Sequence, residues 1–237
     1  MATFVLCHGG WGGSWQWRTV AELLWVMGHK VFAPTFTGLG ERVHLANPDV
    51  DLNTFITDIV NVVLFEELYD VVLVGYSYSG MVITGVADRI PDRISHLVYL
   101  DAVVPQDGQS LTDLLGPEIE AQVLAAIEHQ GDVWKVPHIS ISSKPSDPRM
   151  TPQPSKTGTQ PVTLQNPAAR SLPRSFIYCT EGKDTMLMEP AVKQAAETAK
   201  SDAGWKYYEL QTDHHPMENI PQELAGLLNT IVAQVES

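Results

Sequence analysis

Val71-Val-Leu-Val-Gly75-Tyr76-Ser77-Tyr78-Ser79-Gly80 carries an apolar run into a helical pattern through a serine flanked by small residues. In a nucleophile elbow, such a strand-to-helix turn holds the serine strained at the carboxyl edge of a sheet, and small neighbours let helix and strand approach. The helix N-terminus then aims amide donors at the site, which suits a developing oxyanion. The implied chemistry is attack of Ser77 on a carbonyl. The second small residue is Ser79 instead of glycine, so the literal G-x-S-x-G pattern fails by one hydroxyl, which still fits, and Gly80 adds slack. The plainer alternative is a capping serine in an ordinary turn. The buried strand before it and the helix after it favour the elbow.

A second glycine-rich stretch, His8-Gly9-Gly10-Trp11-Gly12-Gly13, follows the first apolar run. A dinucleotide fingerprint would need a third glycine where Trp15 stands, and the next strand ends Ala33-Pro34-Thr35-Phe36 without an acid to hold a ribose. A phosphate loop would need a lysine followed by serine or threonine, which is missing. What remains is an oxyanion loop, with the amides of Gly10 and of Tyr78, the residue after the serine, as its two donors. Gly38–Gly40 reads as a plain loop.

A serine hydroxyl is a weak nucleophile and needs a base near neutral pH. Of eight histidines, His214 and His215 follow the last strand in Gln211-Thr212-Asp213-His214-His215-Pro216-Met217, where a base can reach back to the elbow. Adjacent residues point apart, so one of the two serves. His8 is expected to pack under its own loop. The orienting acid should follow the fifth strand, which leads into Glu181-Gly182-Lys183-Asp184. Asp184 is favoured, Glu181 lies close by, and Asp101 at the carboxyl end of the fourth strand is the next choice. No second His/Cys/Asp/Glu cluster has metal-ligand spacing. The reading therefore needs no metal and no cofactor.

The elements that must position these groups form an α/β pattern. Strands are expected over Thr3–His8, Lys30–Phe36, Val71–Tyr76, Ile94–Ala102, Phe176–Thr180 and Trp205–Leu210. Helices are expected over about Ser14–Met27, Asp51–Phe65, Tyr78–Ile90 and from Asn219 to about Val235, the last opened by a capping box of Asn219 and Gln222. Val71–Tyr76 is apolar on both faces, as at the centre of a parallel sheet. Between Pro105 and Pro173 the rhythm breaks: ten of the sixteen prolines fall there, and only Glu118–His129 has helical spacing. The core pattern then resumes, so residues 105–173 read as a cap or lid inserted into one core made of residues 1–104 and 174–237. No internal repeat or low-complexity tract is present.

The chain has 237 residues, 15 basic against 28 acidic, and a net charge of −13. That argues against a nucleic-acid groove or an anionic membrane surface as the main partner, because both need a basic face. Two cysteines, Cys7 and Cys179, are too few for a disulfide framework and lie in apolar runs. The first residues lack the basic start and cleavage site of a signal peptide, and no apolar stretch reaches the ~18–20 residues needed to span a bilayer. The expectation is a soluble, cytoplasmic protein, with a homodimer left open.

Taken together, these segments resemble the α/β-hydrolase superfamily, in the branch of plant hydroxynitrile lyases, plant hormone methyl esterases and their bacterial esterase relatives. The resembling residues are Phe4 to Trp17 with His8-Gly-Gly-Trp11, then Gly75-Tyr-Ser77-Tyr-Ser-Gly80-Met81, and Asp213-His214-His215-Pro216-Met217. They cover the core at about residues 3–104 and 174–235. The resemblance implies a mostly parallel six-stranded sheet with helices on both faces. It puts the nucleophile on Ser77, the base on His214, the oxyanion amides on Gly10 and Tyr78, and the acid near Asp184. Cyanohydrin-cleaving members carry threonine and lysine where this chain has Gly9 and His215, and a neutral histidine steadies departing cyanide poorly. The resemblance thus implies ester hydrolysis over carbon–carbon lysis; the triad reading makes it proceed through an acyl-enzyme, and the aromatic and apolar candidate pocket residues point to a small, uncharged or aromatic ester. Trp11, Trp15, Tyr76, Tyr78, Leu111, Leu115 and Trp134 are candidate pocket residues, Trp11 and Trp134 foremost. A hydroxynitrile lyase, or a small-molecule receptor on the same fold, are the alternatives.

Overall fold

The computed structural model describes residues 1–130, 134–139, 147–183 and 187–234. In chain order the strands are β1 (Thr3–Cys7), β2 (Lys30–Phe32), β3 (Val71–Tyr76), β4 (Ile94–Leu100), β5 (Lys135–Val136), β6 (Gln153–Pro154), β7 (Arg174–Cys179) and β8 (Trp205–Leu210). The helices are α1 (Arg18–Val26), α2 (Leu52–Phe65), α3 (Ser79–Arg89), α4 (Leu111–Leu115), α5 (Pro117–Gln130), α6 (Lys156–Thr159), α7 (Pro167–Arg170), α8 (Glu189–Ser201), α9 (Pro216–Asn219) and α10 (Pro221–Ala233). Six strands form one sheet in the order β2-β1-β3-β4-β7-β8, every neighbouring pair parallel. β5 and β6 pair separately as an antiparallel ribbon in the segment between β4 and β7.

Both faces of the sheet are covered, which is why β3 is apolar at every position and buried throughout. The period-two alternation of a strand sends its residues to two cores. Val71 and Leu73 pack with Phe55 and Ile59 of α2, Ile83 of α3 and Val192 of α8. Val72, Val74 and Tyr76 pack on the other side with Leu24 of α1 and with Leu224 and Leu228 of α10. The expected six-stranded parallel sheet, with helices on both faces, is present.

The departures from expectation are local. β2 stops at Phe32, short of Phe36, because Pro34 has no N–H to continue the ladder. α8 has no counterpart in the sequence reading, since its buried stripe is Ala191, Val192, Ala196 and Ala199, too small to register as an apolar face. The last helix begins at Pro221 with no side-chain cap. Asn219 is occupied elsewhere: its amide donates to Asp213 Oδ1 at 2.6 Å, and the capping box with Gln222 does not form. Among the described residues, no helix is long and apolar enough to cross a membrane.

Candidate active site

Register brings the key groups together at the carboxyl edge of the sheet. Tyr76 of β3 pairs with Leu100 of β4, so Ser77 and Asp101 are the first residues past the ends of two adjacent strands. Both take the left-handed conformation, with φ of 58° at Ser77 and 44° at Asp101. Neither is glycine, so each turn carries strain of the kind found at functional positions. The neighbouring backbone holds them there: Ser77 N–H donates to Leu100 O at 3.1 Å, and Asp101 N–H donates to Ile177 O at 2.7 Å.

Tight packing beneath the turn accounts for its small residues. A Cβ on Gly75 would stand 2.8 Å from Ser79 O and 2.9 Å from the Ile83 side chain. A Cβ on Gly80 would overlap the Val103 carbonyl, so this glycine marks an obligatory close approach of α3 to the chain leaving β4 instead of added slack. Ser79 uses its extra hydroxyl as a tie, donating to the His8 carbonyl at the start of the glycine loop.

Ser77 Oγ lies 2.8 Å from His214 Nε2, and His214 Nδ1 lies 2.7 Å from Asp101 Oδ2. His214 comes from the loop after β8, and Tyr76 supports it with a ring 4.8 Å away. Burial, reinforced by the charges of Asp101, Glu218 and Asp213, raises the Tyr76 phenol well above its usual range. It therefore stays protonated, and its hydroxyl shares a hydrogen bond of 3.0 Å with His215 Nδ1. The two imidazoles lie 5.5 Å apart with different partners: His214 is bonded to Ser77 and Asp101, and His215 to the Tyr76 hydroxyl.

Asp101 is fully buried and receives three further hydrogen bonds. Cys179 N–H donates to Oδ1 at 3.1 Å, and Lys183 Nζ sits 2.7 and 2.8 Å from Oδ1 and Oδ2. Burial works to raise its pKa, but the hydrogen bond and charge of His214 and the ammonium of Lys183 outweigh that and hold it below the ordinary carboxylate value. Asp184, the expected acid, lies outside the described residues; the carboxylate against His214 is Asp101. Lys183 was not singled out by its sequence, and only the fold shows that it reaches Asp101.

The glycine loop lies against the elbow. A Cβ on Gly9 would sit 3.5 Å from Ser77 Cβ, and one on Gly10 would sit 3.7 Å from Tyr78 Cβ. His8 is buried beneath the loop, accepting from Phe36 N–H through Nε2 at 3.1 Å, with Nδ1 2.8 Å from Gly9 O. Trp11 stands at φ 59° and hands its indole N–H to Val136 O at 3.0 Å. Trp134 is half-buried beside β5, its ring under the Lys135 ammonium at 4.3 Å. Trp15 stacks under Arg149 at 3.8 Å, and Leu111 and Leu115 pack on the main core. Among the described residues, no group of three His, Cys, Asp or Glu side chains is arranged to hold a metal.

A parallel sheet whose central strand ends in a strained serine, with an imidazole and a carboxylate in line behind it, defines the class. The chain belongs to the alpha/beta hydrolase family, whose model matches residues 4–227, and it is an enzyme of hydrolase type. It is 39% identical to the carbendazim hydrolyzing esterase of Nocardioides sp. (strain SG-4G), over 96% of this chain and 98% of that protein. A shorter match, 33% identical over 45% of this chain and 41% of the other, joins it to methylesterase 2 of Arabidopsis thaliana. Among solved structures, an extracellular alpha/beta-hydrolase from a Paenibacillus species superposes with a TM-score of 0.81 at 24% identity, over 97% of this chain and 98% of that one.

Proposed function

We propose that the chain is a carboxylic-ester hydrolase that works through an acyl-enzyme, with Ser77 as nucleophile, His214 as base and Asp101 as orienting acid. The hydrogen-bonded line from Ser77 Oγ through His214 to Asp101, at 2.8 and 2.7 Å, is the observation that carries this reading. Ser77 Oγ attacks the ester carbonyl as its proton passes to His214 Nε2. The imidazolium is steadied by Asp101 through Nδ1–H. The amides of Gly10 and Tyr78 receive the oxyanion, and the packing of their loops against each other supports that pairing. The departing alcohol takes the proton from His214. Water then attacks the acyl carbonyl, and the same groups return Ser77 to its free form.

The relatives named for ester cleavage support small esters as substrates. Residues 105–173 act as the cap of the core formed by 1–104 and 174–237, with Trp11 and Trp134 lining the acyl or alcohol side of the pocket. An apolar or aromatic ester suits those indoles. Two unpaired, buried thiols, Cys7 and Cys179, fit a reducing compartment such as the cytoplasm. Ser77→Ala should lower turnover of p-nitrophenyl acetate by about 10⁴-fold or more with an unchanged circular dichroism spectrum. Retention of a tenth of the activity by a folded Ser77→Ala protein would remove Ser77 from the nucleophile's role.

A further inference from the structure

The segment between β4 and β7 reaches the oxyanion loop through one continuous set of hydrogen bonds. Trp11, next to Gly10, has both backbone groups bound to it: Trp11 N–H donates to Gln153 Oε1 at 2.9 Å, and Thr151 N–H donates to Trp11 O at 2.9 Å. The other end of the same amide, Gln153 Nε2, donates to Thr157 Oγ1 at 2.8 Å. Thr157 Oγ1 donates in turn to Pro154 O at 2.7 Å, which closes the turn between β6 and α6. Thr157 O then accepts from the Tyr78 hydroxyl at 2.8 Å. Trp11 neighbours one proposed oxyanion donor, and Tyr78 carries the other.

Burial makes this path more than a surface decoration. Gln153 is 6% exposed, Thr157 fully buried and Tyr78 2% exposed. A buried amide costs free energy unless its donor and acceptor are both matched, and here both are. The Gln153 oxygen also limits where the loop can go, since a Cβ on Gly10 would stand only 3.2 Å from it. Gly10 is therefore flanked by this amide and by Tyr78. Donor placement is what an oxyanion hole sells to the transition state, and displacements well under an ångström weaken it.

We propose that Gln153 and Thr157 are positioning residues that set the separation of the Gly10 and Tyr78 amides, so that the segment over the site calibrates the oxyanion hole from outside the core. The inference rests on the ester-hydrolase reading and deepens it: neither residue touches the reacting atoms, and each acts through a donor that does.

The experiment compares Gln153→Met and Thr157→Val, which keep volume and remove only the side-chain hydrogen bonds while the Thr157 carbonyl stays available to Tyr78, singly and together, with Ser77→Ala as the reference. Each single variant should lower kcat for p-nitrophenyl acetate roughly tenfold to a hundredfold, below the 10²–10³ expected for losing a donor outright, while KM changes by less than about threefold. Affinity for phenylboronic acid, whose tetrahedral adduct with the serine places an oxygen in the hole, should fall in parallel. The double variant should cost little more than the worse single one, as expected for two links of one chain. A purely structural role would lower Tm and active fraction without this joint loss of kcat and boronate affinity. Unchanged kcat in either folded variant, or lost kcat with unchanged boronate binding, overturns the inference while an inactive Ser77→Ala keeps the hydrolase reading. An active Ser77→Ala overturns both.

Discussion

At the scale of single residues, the unusual member of the proposed triad is Asp101. Asp101 sits on a left-handed turn one strand away from Ser77, level with it in register, and never leaves the sheet edge. Its carboxylate is shared among His214, the Cys179 amide and Lys183, so the lysine keeps it ionised while competing for its charge. Asp101→Asn should lower kcat by about 10²–10⁴ with little effect on KM, because an amide in that place no longer stabilises the imidazolium. Asp184→Asn should leave kcat within about threefold. Steady-state kinetics on the two variants separate the assignments, and the reverse pattern would return the role to Asp184.

At the scale of elements, the elbow works only because α3 can approach both β3 and the chain after β4. The approach depends on glycine at two points, and Gly80 is the stricter, since its missing Cβ position overlaps the backbone carbonyl of Val103. A backbone obstacle cannot rotate away as a side chain can. Gly80→Ala should therefore destabilise the fold by on the order of 3 kcal/mol or more, outweighing the gain of up to ~1 kcal/mol that alanine brings to a helix interior. The urea midpoint would report the loss. A stability equal to the wild type's would mean that α3 shifts freely, and with it Ser77. Gly75→Ala is the milder case, because one of its obstacles is the flexible Ile83 side chain.

At the scale of the whole molecule, burial of neutral histidines ties stability to pH. Burial lowers the pKa of His8 to about 4, against smaller opposing effects from the Gly9 carbonyl and Glu41. Burial and the charge of Lys206 lower His96 to about 4 as well, and His96 Nδ1 has no hydrogen-bond partner among the described residues. Between about pH 6.5 and 4 the unfolded chain binds more protons than the folded one, so stability falls as pH drops through that window. His8 alone contributes a loss on the order of 3 kcal/mol. Asp101, held below its ordinary value, adds a further loss at lower pH, as acid reaches its folded-state pKa. The net charge of −13 shrinks toward the pI near 4.9, which relieves repulsion and works the other way. That relief is spread over a surface screened within about 10 Å at 0.1 M salt, so the buried histidines dominate. Urea midpoints should fall steadily from about pH 7 to about pH 4.5, and His96→Gln should flatten the decline. A constant midpoint would show that neither imidazole is held neutral by the fold.

Local chemistry was legible in the chain wherever it was dictated by near neighbours. The apolar runs of β1, β3 and β4, the glycines around Ser77 and the loop after His8 each announce their conformation, because strand burial and tight turns restrict the residue types that fit. The small-residue face of α8 leaves no strong local pattern, and the Asn219/Gln222 capping-box pattern misleads because Asn219 binds Asp213 across the preceding loop and the helix starts at Pro221. Contacts across long stretches of chain were another matter. That Asp101 meets His214, that Lys183 reaches the same carboxylate, and that Gln153 holds the Trp11 amide across more than a hundred residues are outcomes of strand register and of how the segment after β4 folds back. Sequence determined which residues were chemically competent and where the chain would turn. Tertiary packing alone decided which of those residues meet, because hydrogen bonds act over about 3 Å and only a specific sheet order brings such distant segments that close.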